Sequence, residues 1–305
     1  MIELREMAQQ VLIIGAGALG TALAKIIPKE HAQVAFWDID EMKCAGGRQP
    51  LETLVPTSHF IFMCVPSWVM RPAVAQYAAL VTPTTVVVSL AKGLESPTAK
   101  TMFEVCTEVL PPNQPIAIMG GAMLAHEIGS GLPGMAVIAS TDDAIAANLM
   151  ALFNGSVLQL SWSGDARSVA LAGVLKNVYA IMLGIGDGLG LGSNTRGWLF
   201  AQAVTEILEI GRLMHADQQV LLSVAGIGDL VATGLSAQSK NHTAGVQLAQ
   251  QGRTALECEG IMSFPSVLQS VGQRPNLRLL NALEAILVRG QNVRIVVQDL
   301  IYKKP

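Results

Sequence analysis

Three charged residues stand where their neighbours predict apolar surroundings. Lys176 interrupts a run in which Leu171, Val174, Leu175, Val178, Ile181 and Met182 recur at helical spacing, so its ammonium is predicted on a largely buried helix. Asp229 lies between Gly228 and Leu230 in a glycine-rich apolar stretch. Lys92 follows the strand-like Thr85 to Leu90 and immediately precedes Gly93. Burying an ammonium is costly unless a partner holds it or a reaction uses it. The competing readings are a snorkelling Lys176 and a solvated loop Lys92. A lysine whose pKa is lowered by burial or a nearby cation can give or take a proton at a carbonyl. Lys176 and Lys92 meet that requirement, with Asp229 as the partner that could hold them. The polar group Ser239-Lys240-Asn241-His242, opening a predicted helix, suits an anionic group such as phosphate.

The elements that must position these residues begin with a strand pattern at Val11 to Gly15. It leads into Gly15-Ala16-Gly17-Ala18-Leu19-Gly20, a helix ended near Pro28, and a second strand, Gln33 to Trp37, closed by Asp38. Strand, glycine-rich turn, helix, strand and acid in this order form a dinucleotide-binding unit. Gly15 makes the turn, Gly17 admits the pyrophosphate, Gly20 lets helix and strand pack, and the helix N-terminus supplies amide donors. Asp38 stands where a carboxylate would bond the ribose hydroxyls of NAD and repel the extra phosphate of NADP. This favours NAD, with NADP as the alternative. A nicotinamide cofactor carries hydride transfer, leaving the protein to bind, orient and supply a proton donor.

Strand signals recur at His59 to Val65, Thr85 to Leu90 and Pro115 to Met119, each separated from the next by a helical pattern. They predict a parallel sheet covered on both faces, with Ser67, Lys92 and Gly121 on the rim where ligands bind. One more short strand is expected around Val157 to Trp162, and Gly164-Asp165 reads as a boundary. Beyond it the pattern is helical. The predicted fold class is therefore α/β plus all-α: an N-terminal Rossmann-type doubly wound parallel sheet over 1–163 and a helical substrate-binding and catalytic domain over 164–305.

Composition excludes several alternatives. The net charge is −3 and the only basic cluster is the final Lys303-Lys304, which argues against nucleic acid as a partner. The hydrophobic fraction is 51%, but it comes in short runs, and no transmembrane span of about 20 apolar residues is expected. Met1 to Glu6 is charged and reads as no secretory signal. Cys44, Cys64, Cys106 and Cys258 are dispersed, fitting reduced thiols in a cytoplasmic protein, and the five histidines show no metal-ligand spacing, so no metal is expected.

With these motifs in hand, the sequence resembles the NAD(P)-dependent glycerol-3-phosphate dehydrogenases, roughly end to end. The likeness is strongest at Gly15 to Ala24, Val65 to Ser67 with Arg71, Lys92 to Glu95, Leu175 to Asn194, Gly226 to Thr233 and Ser239 to Asn241. The run Gly-Ile-Gly-Asp-Gly-Leu-Gly-Leu-Gly-Ser-Asn behind Lys176 is specific and not shared by dehydrogenases at large. The resemblance implies interconversion of dihydroxyacetone phosphate and sn-glycerol 3-phosphate, an entry to glycerophospholipid synthesis. It implies Lys176 as general acid/base, Lys92 in contact with cofactor and substrate, and Asp229 and Thr233 supporting the reacting end. Asn177, Ser239, Lys240 and Asn241 would bind substrate, with Gly121 contributing backbone. Val65, Pro66, Ala125, Lys240 and Glu259 would join Gly15, Gly17, Ala18, Leu19, Gly20 and Asp38 around the cofactor. Family members are often dimers, so a homodimer is the assembly the resemblance points to.

Three positions depart from the family pattern. In Gly121-Ala122-Met123-Leu124-Ala125-His126-Glu127, Met123 replaces a hydroxyl residue and is expected to remove a substrate contact. Lys240 replaces an arginine, keeping the charge but losing bidentate phosphate bonding. Asp38 replaces a small or basic residue. The first two motivate two alternatives: a dehydrogenase of another small ketone or 2-oxo acid, and a non-catalytic dinucleotide-binding paralogue.

Overall fold

The computed structural model describes residues 8–44 and 46–302. Met1 to Glu6 and the Lys303-Lys304 pair lie outside the described residues. The chain divides into two compact units, Met1–Ala91 with Met102–Ala166, and Lys92–Thr101 with Arg167–Pro305.

The first unit is built on seven strands: β1 (Gln9–Ile14), β2 (Ala32–Trp37), β3 (Phe60–Met63), β4 (Val86–Ser89), β5 (Ile116–Ala122), β6 (Gly134–Ala139) and β7 (Leu158–Ser163). Its helices are α1 (Ala18–Ile26), α2 (Leu51–Leu54), α3 (Met70–Ala75), α4 (Met102–Val109), α5 (Ala125–Gly129) and α6 (Asp143–Leu152). The sheet order is β2-β1-β3-β4-β5-β6-β7. Both faces are covered because alternate residues serve opposite cores. Val11, Ile13, Phe60 and Phe62 pack on one side, and Leu12, Ile14, Ile61 and Met63 on the other. The order reverses at β1, which lies between β2 and β3, so the C-terminal end of β1 is the switch point where such sheets take ligands.

The expected strands β1 to β5 pair in parallel. β6, which the sequence pattern did not mark, pairs antiparallel with β5 and parallel with β7. The link from Ala122 to Gly134 carries only the five-residue α5 and sends the chain straight back, without the long crossover that parallel pairing needs. β5 also runs on through Gly120 and Gly121, where the sequence pattern placed its end.

The second unit is helical: α7 (Ala166–Gly188), α8 (Ser193–Leu213), α9 (Gln218–Leu222), α10 (Asp229–Gly234), α11 (Lys240–Gln251), α12 (Glu259–Val271), α13 (Arg278–Leu287) and α14 (Val293–Tyr302). α7 is long and apolar enough to cross a membrane by length and composition, yet its most apolar window is entirely buried within the protein. It is the core helix of this unit. The segment Lys92–Thr101 belongs here and not with the sheet whose strand it follows. It is tied to α12, where Ser263 Oγ accepts from Leu94 N at 3.0 Å and Ser266 Oγ donates to Glu95 O at 3.3 Å.

Candidate active site

In the first unit, the glycine-rich turn leaves β1 with Gly15 at φ +102°, a left-handed conformation that favours glycine. A Cβ there would lie 2.7 Å from the Cys64 carbonyl, whereas one on Gly17 would meet nothing within 4 Å, so Gly17 faces open space. Gly17 is the N-cap of α1 and no side chain caps that helix. The first turn at Ala18 and Leu19 thus has no side-chain cap, as a pyrophosphate site requires, while Gly20 is buried. A cavity of about 600 Å³ adjoins the turn, lined by Ala16, Gly17, Ala18, Lys25, Ala125 and His126. Val65 and Pro66 follow β3 beside Gly15.

Asp38 closes β2 and is 9% exposed. Its Oδ2 accepts from Ala16 N at 2.8 Å and its Oδ1 from Asp40 N at 2.9 Å. The carboxylate thus braces the glycine-rich turn. These residues fit a nicotinamide dinucleotide: an open glycine, uncapped amides and an acid at the strand end.

In the second unit, Lys176, Lys92 and Asp229 come together. Asp229 is 1% exposed and its two oxygens divide the two cations: Lys176 Nζ lies 3.0 Å from Oδ1 and Lys92 Nζ 2.8 Å from Oδ2. Thr233, one turn along α10, takes a 2.6 Å bond from Lys176 Nζ and donates to Asp229 Oδ1 at 3.0 Å. Burial opposes the charge on Asp229, but Lys176 and Lys92 outweigh it and hold the carboxyl below its usual range. For Lys176 burial wins. It lowers the amine to about 8, with Lys92 pushing the same way and Asp229 opposing. Gly173 gives the Lys92 stem room on α7, since a Cβ there would stand 3.0 Å from Lys92 Cγ. Lys176 therefore does not snorkel: it is a buried amine, lowered to about 8 and held between Asp229 and Thr233.

A chain of side-chain amides surrounds this cluster. Asn177 Nδ2 donates to Lys92 O at 2.9 Å, Asn241 Nδ2 to Asn177 Oδ1 at 2.8 Å, and Gly260 N to Asn241 Oδ1 at 2.9 Å. Glu259, the first residue of α12, lies close enough for its charge to act on Lys176. Ser239 caps α11, its Oγ accepting from His242 N at 3.3 Å, and Lys240 is exposed on that helix's first turn. Asn177 and Asn241 thus have framework partners, and of the polar group expected to meet an anion Lys240 alone is exposed.

Met123, expected to lack a substrate contact, is 5% exposed and packs in the sheet core with Met119, Ile128 and Ala136. The chain folds back after β5, with Met123 N bonded to Gly121 O at 3.0 Å, and the turn drives the side chain inward. Gly121 itself has φ +142° within β5, where a Cβ would meet the Met135 carbonyl at 2.5 Å. The buried Glu206 and the partner that His242 finds were not expected from the sequence pattern. Glu206, 1% exposed, accepts from Tyr179 Oη at 2.9 Å and from Leu279 N and Leu280 N at 2.7 and 3.0 Å. His242 meets Asp187 at 2.9 Å. Isolated charges in apolar company, Asp187 in α7 and Glu206 in α8, were the available signal.

A Rossmann-type unit with an open glycine-rich turn, and a helical unit carrying a buried lysine–aspartate–lysine cluster, define a dinucleotide-linked dehydrogenase. Family comparison is consistent with this in both units. Residues 47–146 match the NAD-dependent glycerol-3-phosphate dehydrogenase N-terminus and residues 165–298 its C-terminus. A glycerol-3-phosphate dehydrogenase [NAD(P)+] of Geobacter sulfurreducens is 34% identical over 80% of either chain. One of Geobacter metallireducens is 31% identical over 98% of either chain. A crystal structure of glycerol-3-phosphate dehydrogenase from Coxiella burnetii superposes with a TM-score of 0.87 at 25% identity, covering 97% of this chain and 99% of that one. The chain belongs to the NAD-dependent glycerol-3-phosphate dehydrogenase family.

Proposed function

We propose that the protein interconverts dihydroxyacetone phosphate and sn-glycerol 3-phosphate with NAD(P)H, feeding glycerophospholipid synthesis. The observation that carries this reading is Lys176, a buried amine at about 8 held between Asp229 and Thr233. When bound, the nicotinamide supplies or accepts the hydride at the carbinol carbon. Lys176 supplies the proton to the ketone oxygen in reduction and removes it in oxidation. Asp229 keeps Lys176 charged enough to be an acid, while Lys92 and burial keep the proton loose enough to leave. Lys92 also brings a cation for the oxygen on which negative charge develops. Lys240 and the α11 N-terminus offer the site for the substrate phosphate.

Asp38 supports a preference for NADH. The low net charge supports a small-molecule substrate without nucleic acid, and four free cysteines support a cytoplasmic setting. A homodimer is the assembly we expect. The test is a paired initial-rate assay of NADH and NADPH with dihydroxyacetone phosphate, run against unphosphorylated ketones and 2-oxo acids. Turnover is expected with dihydroxyacetone phosphate and faster with NADH. Preference for an unphosphorylated ketone, or NADH binding without turnover of any ketone, overturns the reading.

A further inference from the structure

α7 and α11 touch backbone to backbone. A Cβ on Gly184 would overlap the His242 carbonyl, and one on Gly245 would overlap the Ile181 carbonyl. Nothing but glycine hydrogens separates the two helices, so the first turn of α11 has little freedom to shift without losing this fit. Two polar contacts then tie that turn to α7. Asn241 Nδ2 bonds Asn177 Oδ1 at 2.8 Å, beside Lys176. His242 Nε2 meets Asp187 Oδ2 at 2.9 Å, at the far end of α7.

The second contact is well built. The His242 side chain is 9% exposed, and its other ring nitrogen, Nδ1, has no hydrogen-bond partner among the described residues. Asp187 is thus the polar anchor of a buried imidazole. Arg196 Nη1 bonds Asp187 Oδ1 at 3.0 Å, which aims the other oxygen at the ring. Burial opposes the Asp187 charge, and the bonds from His242 and Arg196 overcome it and hold the carboxyl below its usual range. The glycine run behind Lys176 therefore serves two ends: Gly184 admits α11, and Asp187 fastens it.

We infer that Asp187 and His242 are positioning residues for the phosphate end of the substrate. They act through the first turn of α11, which carries Lys240 immediately before Asn241 and His242, and the inference rests on the substrate reading above. Neither residue exchanges a proton with the reacting carbonyl. Their loss lets the α11 N-terminus drift from α7 and weakens the grip on phosphate, while the Lys92, Asp229 and Lys176 cluster stays assembled through α7 and α10.

The experiment compares wild type with His242→Ala, His242→Gln and Asp187→Ala, following NADH oxidation with dihydroxyacetone phosphate and with dihydroxyacetone. For both alanine variants the KM for dihydroxyacetone phosphate should rise about tenfold, with kcat within about twofold of wild type. The kcat/KM for dihydroxyacetone, which has no phosphate, should not change. His242→Gln, which can still donate to Asp187, should recover most of the affinity. Hydrogen exchange of the α11 first turn should speed up in His242→Ala, and this reads the clamp without turnover. An unchanged KM, an equal loss on both ketones, or unchanged α11 exchange overturns the inference. Wild-type protein inert towards dihydroxyacetone phosphate would instead overturn the substrate reading, with the exchange arm still deciding the clamp.

Discussion

Replacing Asp229 with asparagine should move the working pH of the enzyme downward. Asp229 holds Lys176 at 3.0 Å and Lys92 at 2.8 Å, so the substitution removes the carboxylate that the buried Lys176 and the part-buried Lys92 share. At 3.0 Å and an effective dielectric of about 20, the lost attraction on Lys176 is about 5 kcal/mol, an upper bound of roughly 4 pKa units. The asparagine carbonyl still accepts from the amine and the site relaxes, so the expected fall is smaller, at least about one unit. The direction is fixed. Burial and Lys92 both lower the Lys176 pKa and only Asp229 and the weaker Glu259 raise it, so the amine drops from about 8 towards 7 or below. Ketone reduction needs the ammonium, so its alkaline limb should move from about 8 to lower pH and turnover at pH 8 should collapse. Alcohol oxidation needs the free amine, so its acid limb should move the same way. The assay is a kcat/KM profile against pH in both directions, with circular dichroism to confirm the fold. Limbs that stay in place, or that move upward, refute the electrostatic account of Lys176.

Three further outcomes follow from the packing. Glu206→Ala strands the Tyr179 hydroxyl and the Leu279 and Leu280 amides at the start of α13, and should destabilise the protein by about 3 kcal/mol or more in urea unfolding, with a smaller loss for Glu206→Gln. Asp38→Ala should erase the preference for NADH over NADPH and weaken both cofactors, because the Ala16 amide loses its brace, as fluorescence titration would read. Met123→Ser should lower stability by about 2–5 kcal/mol through a core cavity and leave the KM for dihydroxyacetone phosphate no better than wild type; a lowered KM would return Met123 to the substrate site.

Much of this was legible in the sequence, for identifiable reasons. The Gly15 to Gly20 turn and Asp38 could be read because a dinucleotide-binding turn imposes local spacing on a strand and a helix, and spacing is what a sequence displays. Lys176 and Asp229 were visible as charges in apolar company. The return from β5 to β6 was not: the strand Gly134–Ala139 was not among those expected, and its pattern does not say which way it pairs. The inward turn of Met123 depends on a single backbone bond to Gly121. The Lys92–Thr101 segment joins the helical unit through residues far away in the chain: Leu94 N donates to Ser263 Oγ and Ser266 Oγ donates to Glu95 O, about 170 residues apart. Asn241 read as a phosphate ligand by motif, and its packing partners Asn177 and Gly260 emerge only when α7, α11 and α12 are assembled.

The central claim is that Lys176 is the proton donor for the ketone of dihydroxyacetone phosphate. Lys176→Ala tests it most directly, with NADH oxidation and NADH binding measured on the same preparation. The account predicts turnover reduced by at least about a hundredfold, the scale of general acid catalysis, with NADH affinity unchanged. Turnover at the wild-type rate in Lys176→Ala would contradict it.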